Sequence, residues 1–371
     1  MTKETPVYER LKPLAADWID LFGYWAPTVL TTDADAEYQA VRETAALMDF
    51  SMLRKIDIDG AGSLDLVNGI VARDVSKLSA GQIAYGPLCD EDGKMVDDCT
   101  VMVRSDSGDS VRVCGANDRD FEIFTEQASG RGISVHERTD EMAHLCLQGP
   151  LSRGIVQSLT SSDVSSESFP YYRFREDIAL AGVPTFITRM GYTAELGYEI
   201  FVDRDRALEL WDALIEAGVP EGMMPIGVVA LGPVRLEGGF ILGGVEYDST
   251  SSPYECGLGW AVALEKGEFQ GREGLRRDQV ASRLRLATVV LESGGDSATG
   301  SPIHVGGEVV GAVTESATSP LLDGKTVGLA KIWEELCAPG TAIEVVVDGE
   351  HIPGTVASHP AYDPERVRVR G

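Results

Sequence analysis

Downstream of Asp33 apolar residues recur at three- and four-residue intervals, at Ala34, Tyr38, Val41, Ala45 and Met48. Residues so spaced share one face of an α-helix, and an aspartate is a good cap for its first turn, so the pattern predicts a helix over 33–48. The next segment, RKIDIDG, alternates Ile56 and Ile58 with Asp57 and Asp59. That period of two belongs to a half-buried strand, after which 61–71 reads as a helix. Strands are expected at 96–104, 110–115 and 143–148, the first two joined by the polar hairpin turn SDSGDS, and a helix at 118–130.

Beyond Gly182 the pattern gives a strand in VPTFITRM, a second in RMGYTAELGYEIFV, and a helix over 205–217 with Leu208, Trp211, Leu214 and Ile215 on one face. From Leu284 onward short strands alternate with Gly- and Pro-containing turns, the composition of a small antiparallel barrel. The charged stretch between Lys266 and Arg285 reads as a linking helix. A domain boundary near Ser282 divides the chain into 1–282 and a barrel over 283–371. Strands and helices alternate, yet no GxGxxG fingerprint follows any strand, which argues against a doubly wound nucleotide fold.

Composition narrows the function classes. Lys and Arg number 32 against 59 Asp and Glu, a net charge of −27 that repels nucleic acid. No apolar run approaches the roughly 20 residues of a membrane-spanning helix, and the first segment lacks the pattern of a secretory signal, so a cytoplasmic location is expected. The six cysteines lie far apart without CxxC pairs, and the five histidines form no metal-ligand spacing or triad motif, so no metal site is expected.

Several segments in colinear order carry a specific resemblance: LFGYWAP, MDFSMLRK, ARDVSKLSAGQIAYGPLCDEDGKMVDD, LQGPLSR, RMGYTAELGYEIFV, VRLEGG, SPYECGLGW and PAYDPERVRVR. Together they resemble the aminomethyltransferase family, which includes the glycine-cleavage T-protein and tetrahydrofolate-dependent demethylases. The resemblance implies an α+β fold, a three-domain ring of the T-protein type whose central hole receives the folate. Residues 1–282 would form two interleaved α+β domains, the second roughly 55–142, and the barrel would be the third domain.

It also implies roles. Asp97 corresponds to an aspartate beside the reactive folate nitrogens, and because neighbours on a strand point to opposite faces, Asp98 would be its structural partner. Glu199 corresponds to the glutamate that grips the pterin, since a carboxylate accepts two parallel hydrogen bonds from an N–H and an amino group. Tyr85 and Tyr192 would be aromatic walls and Trp260 would pack on the folate, although aromatic residues more often fill a core. Arg366, Arg368 and Arg370 would attract a polyglutamate tail or form a solvated basic tail.

Departures from the T-protein pattern bear on substrate. Leu231 stands where that pattern has an arginine, Gly243 where it has a bulky aromatic, Tyr247 where it is aliphatic, and the Ser51–Met52 pair where it has Ser-His. Tyr247 would protonate an ether oxygen as it leaves, help to hold an onium substrate, or merely fill the space beside Gly243. The expected activity is therefore tetrahydrofolate-dependent demethylation, moving a methyl group from a small O-, S- or N-methylated compound to N5. The alternative is the T-protein itself, taking an aminomethyl group from a lipoyl carrier protein. A non-catalytic folate-binding iron–sulfur assembly factor ranks third, because its cysteine motif is missing.

Overall fold

Three sheets organise the chain, whose computed structural model describes residues 2–31 and 33–371. A six-stranded sheet runs in the order Phe174–Arg175, Phe186–Thr188, Gly197–Asp203, Met142–Gln148, Ala45–Asp49, Met223–Pro225. All its pairs are antiparallel except the last. A five-stranded antiparallel sheet runs Ile83–Cys89, Met95–Val103, Ser110–Gly115, Arg54–Asp59, Ser134–Glu137. The strands from Leu284–Leu291 to Glu350–Val356 close into a six-stranded antiparallel barrel.

The helix expected over 33–48 ends earlier, at Ala34–Glu43. Asp33 caps it, its carboxylate accepting the N–H groups of Asp35 and Ala36 at 3.0 and 3.1 Å. Residues Ala45–Asp49 instead form a strand between Met142–Gln148 and Met223–Pro225. Ala45 and Leu47 enter one core and Ala46 and Met48 another, so this strand is buried on both sides and its run of apolar residues carries no period of two. Elsewhere the expected strands at 96–104, 110–115 and 143–148 match Met95–Val103, Ser110–Gly115 and Met142–Gln148. The charged segment before the barrel contains the helix Arg272–Ala281.

Each of the two open sheets buries one face under helices. Leu145, Leu147, Tyr198 and Ile200 pack with Trp211 and Leu214 of the helix Ala207–Gly218. Ile56, Ile58, Cys99 and Val101 pack with Leu66 and Phe124 from the helices Ser63–Asn68 and Arg119–Ala128. The opposite faces meet one another, where Ile83, Met102 and Cys114 touch Met142, Phe186 and Phe201.

A buried polar network ties the barrel and the tail to this core. Glu237, fully buried, accepts hydrogen bonds from Tyr38 at 2.8 Å, from Arg42 at 2.6 Å and from Ser319 of the barrel at 2.6 Å. Arg42 also pairs with Glu195 at 3.1 Å, and Tyr362 of the tail donates to Glu195 at 2.5 Å. Removing one member would leave another charge buried without its partner, so the network fixes the docking geometry.

Candidate active site

Between the facing sheets lies a cavity of about 220 Å³. The five-stranded sheet contributes Tyr85, Asp98, Thr100, Cys114 and Gly115, and the six-stranded sheet contributes Asp49, His144 and Glu199. Loops close it with Phe22, Phe50, Met52, Tyr172, Met190 and Tyr192, and the segment before the barrel adds Val228, Leu231, Phe240 and Gly243. Six of these residues are aromatic. Phe22 and Tyr172 hold positive backbone φ values of 52° and 62°, a conformation that costs non-glycine residues energy and that collects at functional sites.

Strand parity decides which carboxylates reach the cavity. Asp98 and Thr100 point inward, whereas Cys99 and Val101, which share the face of Asp97, point into the core beneath the helices. The expectation that Asp97 lies at the reactive edge, with Asp98 as its structural partner, is thus reversed in position. Asp97, 2 % exposed, turns away and binds the loop after Gly115, accepting the N–H groups of Ala116 at 2.5 Å and Asn117 at 2.9 Å. Asp98 accepts the hydroxyl of Tyr85 at 2.7 Å. Burial, followed by the nearby charge of Asp97, pushes Asp98 up to about 6, so it exchanges a proton near neutral pH.

Glu199 stands on the opposite wall, paired in register with Cys146 and 7 % exposed. Its nearest described partner is His144 Nε2 at 3.3 Å. Burial holds the His144 imidazole below its ordinary value against the opposing pull of Glu199, and its ring stacks on Phe201 at 4.1 Å. Glu199 therefore keeps acceptor capacity for a ligand that brings N–H donors. Tyr85 and Tyr192 line the same space, Tyr192 being fixed by a 2.5 Å hydrogen bond to the carbonyl of Ile241.

Two expected residues sit elsewhere. Trp260 is 62 % exposed and outside the cavity wall, where it carries the Arg73 guanidinium at 5.1 Å from its ring centre. Tyr247 is buried behind Gly243, in the core between the sheets and the barrel, and does not line the cavity. A Cβ at Gly243 would lie 2.9 Å from the Tyr247 hydroxyl, so the glycine lets the phenol pass beneath the cavity wall. That hydroxyl meets Asp97 Oδ1 at 2.9 Å and also Asp98 Oδ1, and burial raises it well above the ordinary phenol range. It reaches a substrate only through Asp98, so direct protonation of a leaving oxygen by Tyr247 is not what this arrangement allows.

Sequence reasoning missed Asp98 as the inward carboxylate, along with Asp49, His144, Phe22 and Tyr172. For Asp98 a signal was present, since Cys99 and Val101 mark the apolar face of its strand. Asp49 is held by the N–H and hydroxyl of Ser51, at 3.0 and 2.5 Å, within the segment MDFSM. Among the described lining residues three are carboxylates, Asp49, Asp98 and Glu199, and none is lysine or arginine.

This is the architecture of a transferase with its cavity between two facing sheets. Residues 7–266 match the family model described as GCVT N-terminal domain, and residues 285–363 match the glycine cleavage T-protein C-terminal barrel domain. The chain belongs to the aminomethyltransferase family. An aminomethyltransferase of Halothermothrix orenii is 35% identical over 96% of this chain and 99% of its own length. One of Symbiobacterium thermophilum is 35% identical over 97% of each. The trimethylamine-oxide aldolase of Ruegeria pomeroyi is 34% identical over 100% of this chain, which corresponds to 48% of that longer protein. Among solved structures, the aminomethyltransferase T of the Bartonella henselae glycine cleavage system superposes with a TM-score of 0.87 at 23% identity, covering 98% of this chain and 99% of that one.

Proposed function

We propose that the cavity binds tetrahydrofolate, as the family does, and that the chain transfers to it a one-carbon unit from a cationic donor. The observation that carries this reading is a cavity walled by aromatic rings, with Asp98 and Glu199 on opposite sides and no lysine or arginine in its described lining. Aromatic faces and desolvated carboxylates attract an ammonium or sulfonium group and give an anionic donor nothing to bind. Glu199 would grip the N–H and amino groups of the pterin. Asp98 would face the reacting nitrogen, and Tyr85 and Tyr192 would flank the ring. Holding both reactants in line supplies much of the rate of such a transfer.

The relatives' names favour the aminomethyl donor of a glycine-cleavage enzyme over the demethylase expected from sequence. A protonated aminomethyl group suits the carboxylates. Demethylation stands as the second reading because Leu231, in the cavity wall, occupies the place of the T-protein arginine and removes a bidentate contact that an aliphatic chain cannot replace. Cytoplasmic location belongs to both readings, and a small-molecule methyl donor to the second alone.

Incubation with reduced folate and a donor panel, followed by mass spectrometry of the folate, separates these outcomes. The panel comprises an aminomethyl-lipoyl carrier protein, methylated ammonium and sulfonium compounds, and methoxy-aromatics. Methylene-tetrahydrofolate that requires the carrier supports the first reading, and 5-methyltetrahydrofolate supports the second. Turnover of only the neutral methoxy-aromatics would refute the cationic donor, and folate binding without turnover of any donor would point to the non-catalytic role.

A further inference from the structure

Behind the cavity wall the carboxylates continue into the protein. The Tyr247 oxygen touches both Asp97 and Asp98 and also receives the Asp98 N–H at 3.2 Å. A phenol has one proton, so it donates to one carboxylate at a time, and its contact with the other requires a proton on that carboxyl group. On the far side, Asp97 Oδ2 is occupied by two backbone N–H groups and lies against Asp120, for a Cβ at Gly115 would strike Oδ2 of both aspartates. Asp120 is fully buried, and neither of its oxygens finds a hydrogen-bond partner among the described residues. Two buried carboxyl groups in contact cannot both be ionised at low cost.

We propose that Asp120, Asp97 and Tyr247 form a buried proton relay that ends at Asp98 in the cavity wall. The inference rests on the transferase reading. When the folate nitrogen is alkylated, its N–H bond breaks and the proton goes to Asp98. As that proton moves on to the Tyr247 oxygen, the original Tyr247 O–H bond breaks and a new one forms on Asp97, which stands neutral beside the already protonated Asp120 until the proton returns by the same path to the cavity. No electron is gained or lost, and Asp98 is returned ionised to the cavity.

The groups around the relay suit it. Burial, and then Asp97, raise Asp120 well above the carboxylate range. Tyr85 and Tyr192 face Asp98, the Cys99 thiol shares the face of Asp97 and lies near Asp120, and Arg54, paired with the exposed Asp118, lies on the Asp120 side. Tyr247 and Asp120 are positioning residues, since both act through Asp98.

Infrared spectroscopy of the unliganded protein between pH 5 and 9 tests the relay without turnover. A protonated carboxyl band is expected to persist above pH 7, to vanish in Asp120→Asn, whose amide still donates to Asp97, and to survive in Tyr247→Phe. With donor and folate, Tyr247→Phe should lower kcat about tenfold or more and displace the pH profile of kcat, with KM for folate changed less than threefold. A band absent from the wild type, or unaltered in Asp120→Asn, overturns the relay, and so does a Tyr247→Phe profile that overlays the wild type. If the band behaves as expected but no donor is turned over, the shared proton stands and the transferase reading falls.

Discussion

Replacing Glu199 by Gln tests the grip on the pterin directly. The substitution keeps the shape and one acceptor but removes the charge and turns the second acceptor into a donor facing the ligand's own donor. Hydrogen bonds to a charged group are each worth about 1.5–3 kcal/mol when buried, and the position is 7 % exposed. Loss of one such bond corresponds to a dissociation constant raised by about 10–150-fold. The strand itself should be spared, because its backbone pairing with Met142–Gln148 does not involve the side chain and His144 is the nearest described neighbour of the carboxylate. Calorimetric titration with reduced folate measures the effect, and thermal unfolding checks that the fold is intact. Asp98→Asn in parallel should leave the affinity within about threefold, roughly 0.6 kcal/mol, while slowing turnover at least about 100-fold. If Glu199→Gln binds reduced folate as tightly as the wild type and Asp98→Asn does not bind it, the two walls have been given each other's roles.

Three other expectations concern charge and stability. Glu237→Ala strands Arg42 in the core beside Glu195 alone and should cost about 3–5 kcal/mol in denaturant unfolding; a loss below about 1 kcal/mol would show that the network does not hold the barrel. Asp57 is buried against Arg112, and although burial opposes it, that guanidinium holds the carboxyl below its ordinary value of 3.8. A depressed folded-state value means that the stabilisation is complete above about pH 4 and is lost as pH falls through the folded value, so acid unfolding should be steeper in the wild type than in Asp57→Asn. Finally, a cationic donor binds ionised Asp98, so its affinity should fall below about pH 6 by up to tenfold per unit, whereas a neutral isostere should show no such dependence.

Much of the fold was legible because its elements obey one period at a time. The helix Ala207–Gly218 lies on the protein surface with one face buried, and in the strand Ser110–Gly115, although both of its faces are buried, Val111 and Val113 alternate with Arg112, so both patterns are clean. The strand Ala45–Asp49 was not legible, because a strand buried on both sides repeats no period and continues the apolar run of the preceding helix. The helix Val228–Glu237 was hidden for a different reason: Pro233 lies inside it, and its apolar residues are spread around its axis rather than gathered on one side. Its position matters, since it brings Leu231 to the cavity. Phe22 and Tyr172 reach the site from loops whose left-handed backbone no periodicity announces.

The misplacement of Asp97 and Asp98 shows where the chemistry itself could have been read. In MVDDCTVMV the partners of Asp97 at two-residue spacing are Met95, Cys99, Val101 and Val103, all apolar, and those of Asp98 are Val96, Thr100 and Met102, of which Thr100 is polar. An apolar face goes beneath helices and a mixed face goes toward a ligand, so parity alone assigns Asp98 to the cavity. That assignment leaves an acid in a hydrophobic core, and a buried carboxylate without donors is unstable. Asp97 meets this requirement with the N–H groups of Ala116 and Asn117, which fasten the loop leading to the helix Arg119–Ala128, and with the phenol of Tyr247 from a segment 150 residues away. The adjacent pair thus divides two tasks that a single aspartate could not combine: one carboxylate is exposed to the cavity, and the other fixes the elements that hold it there.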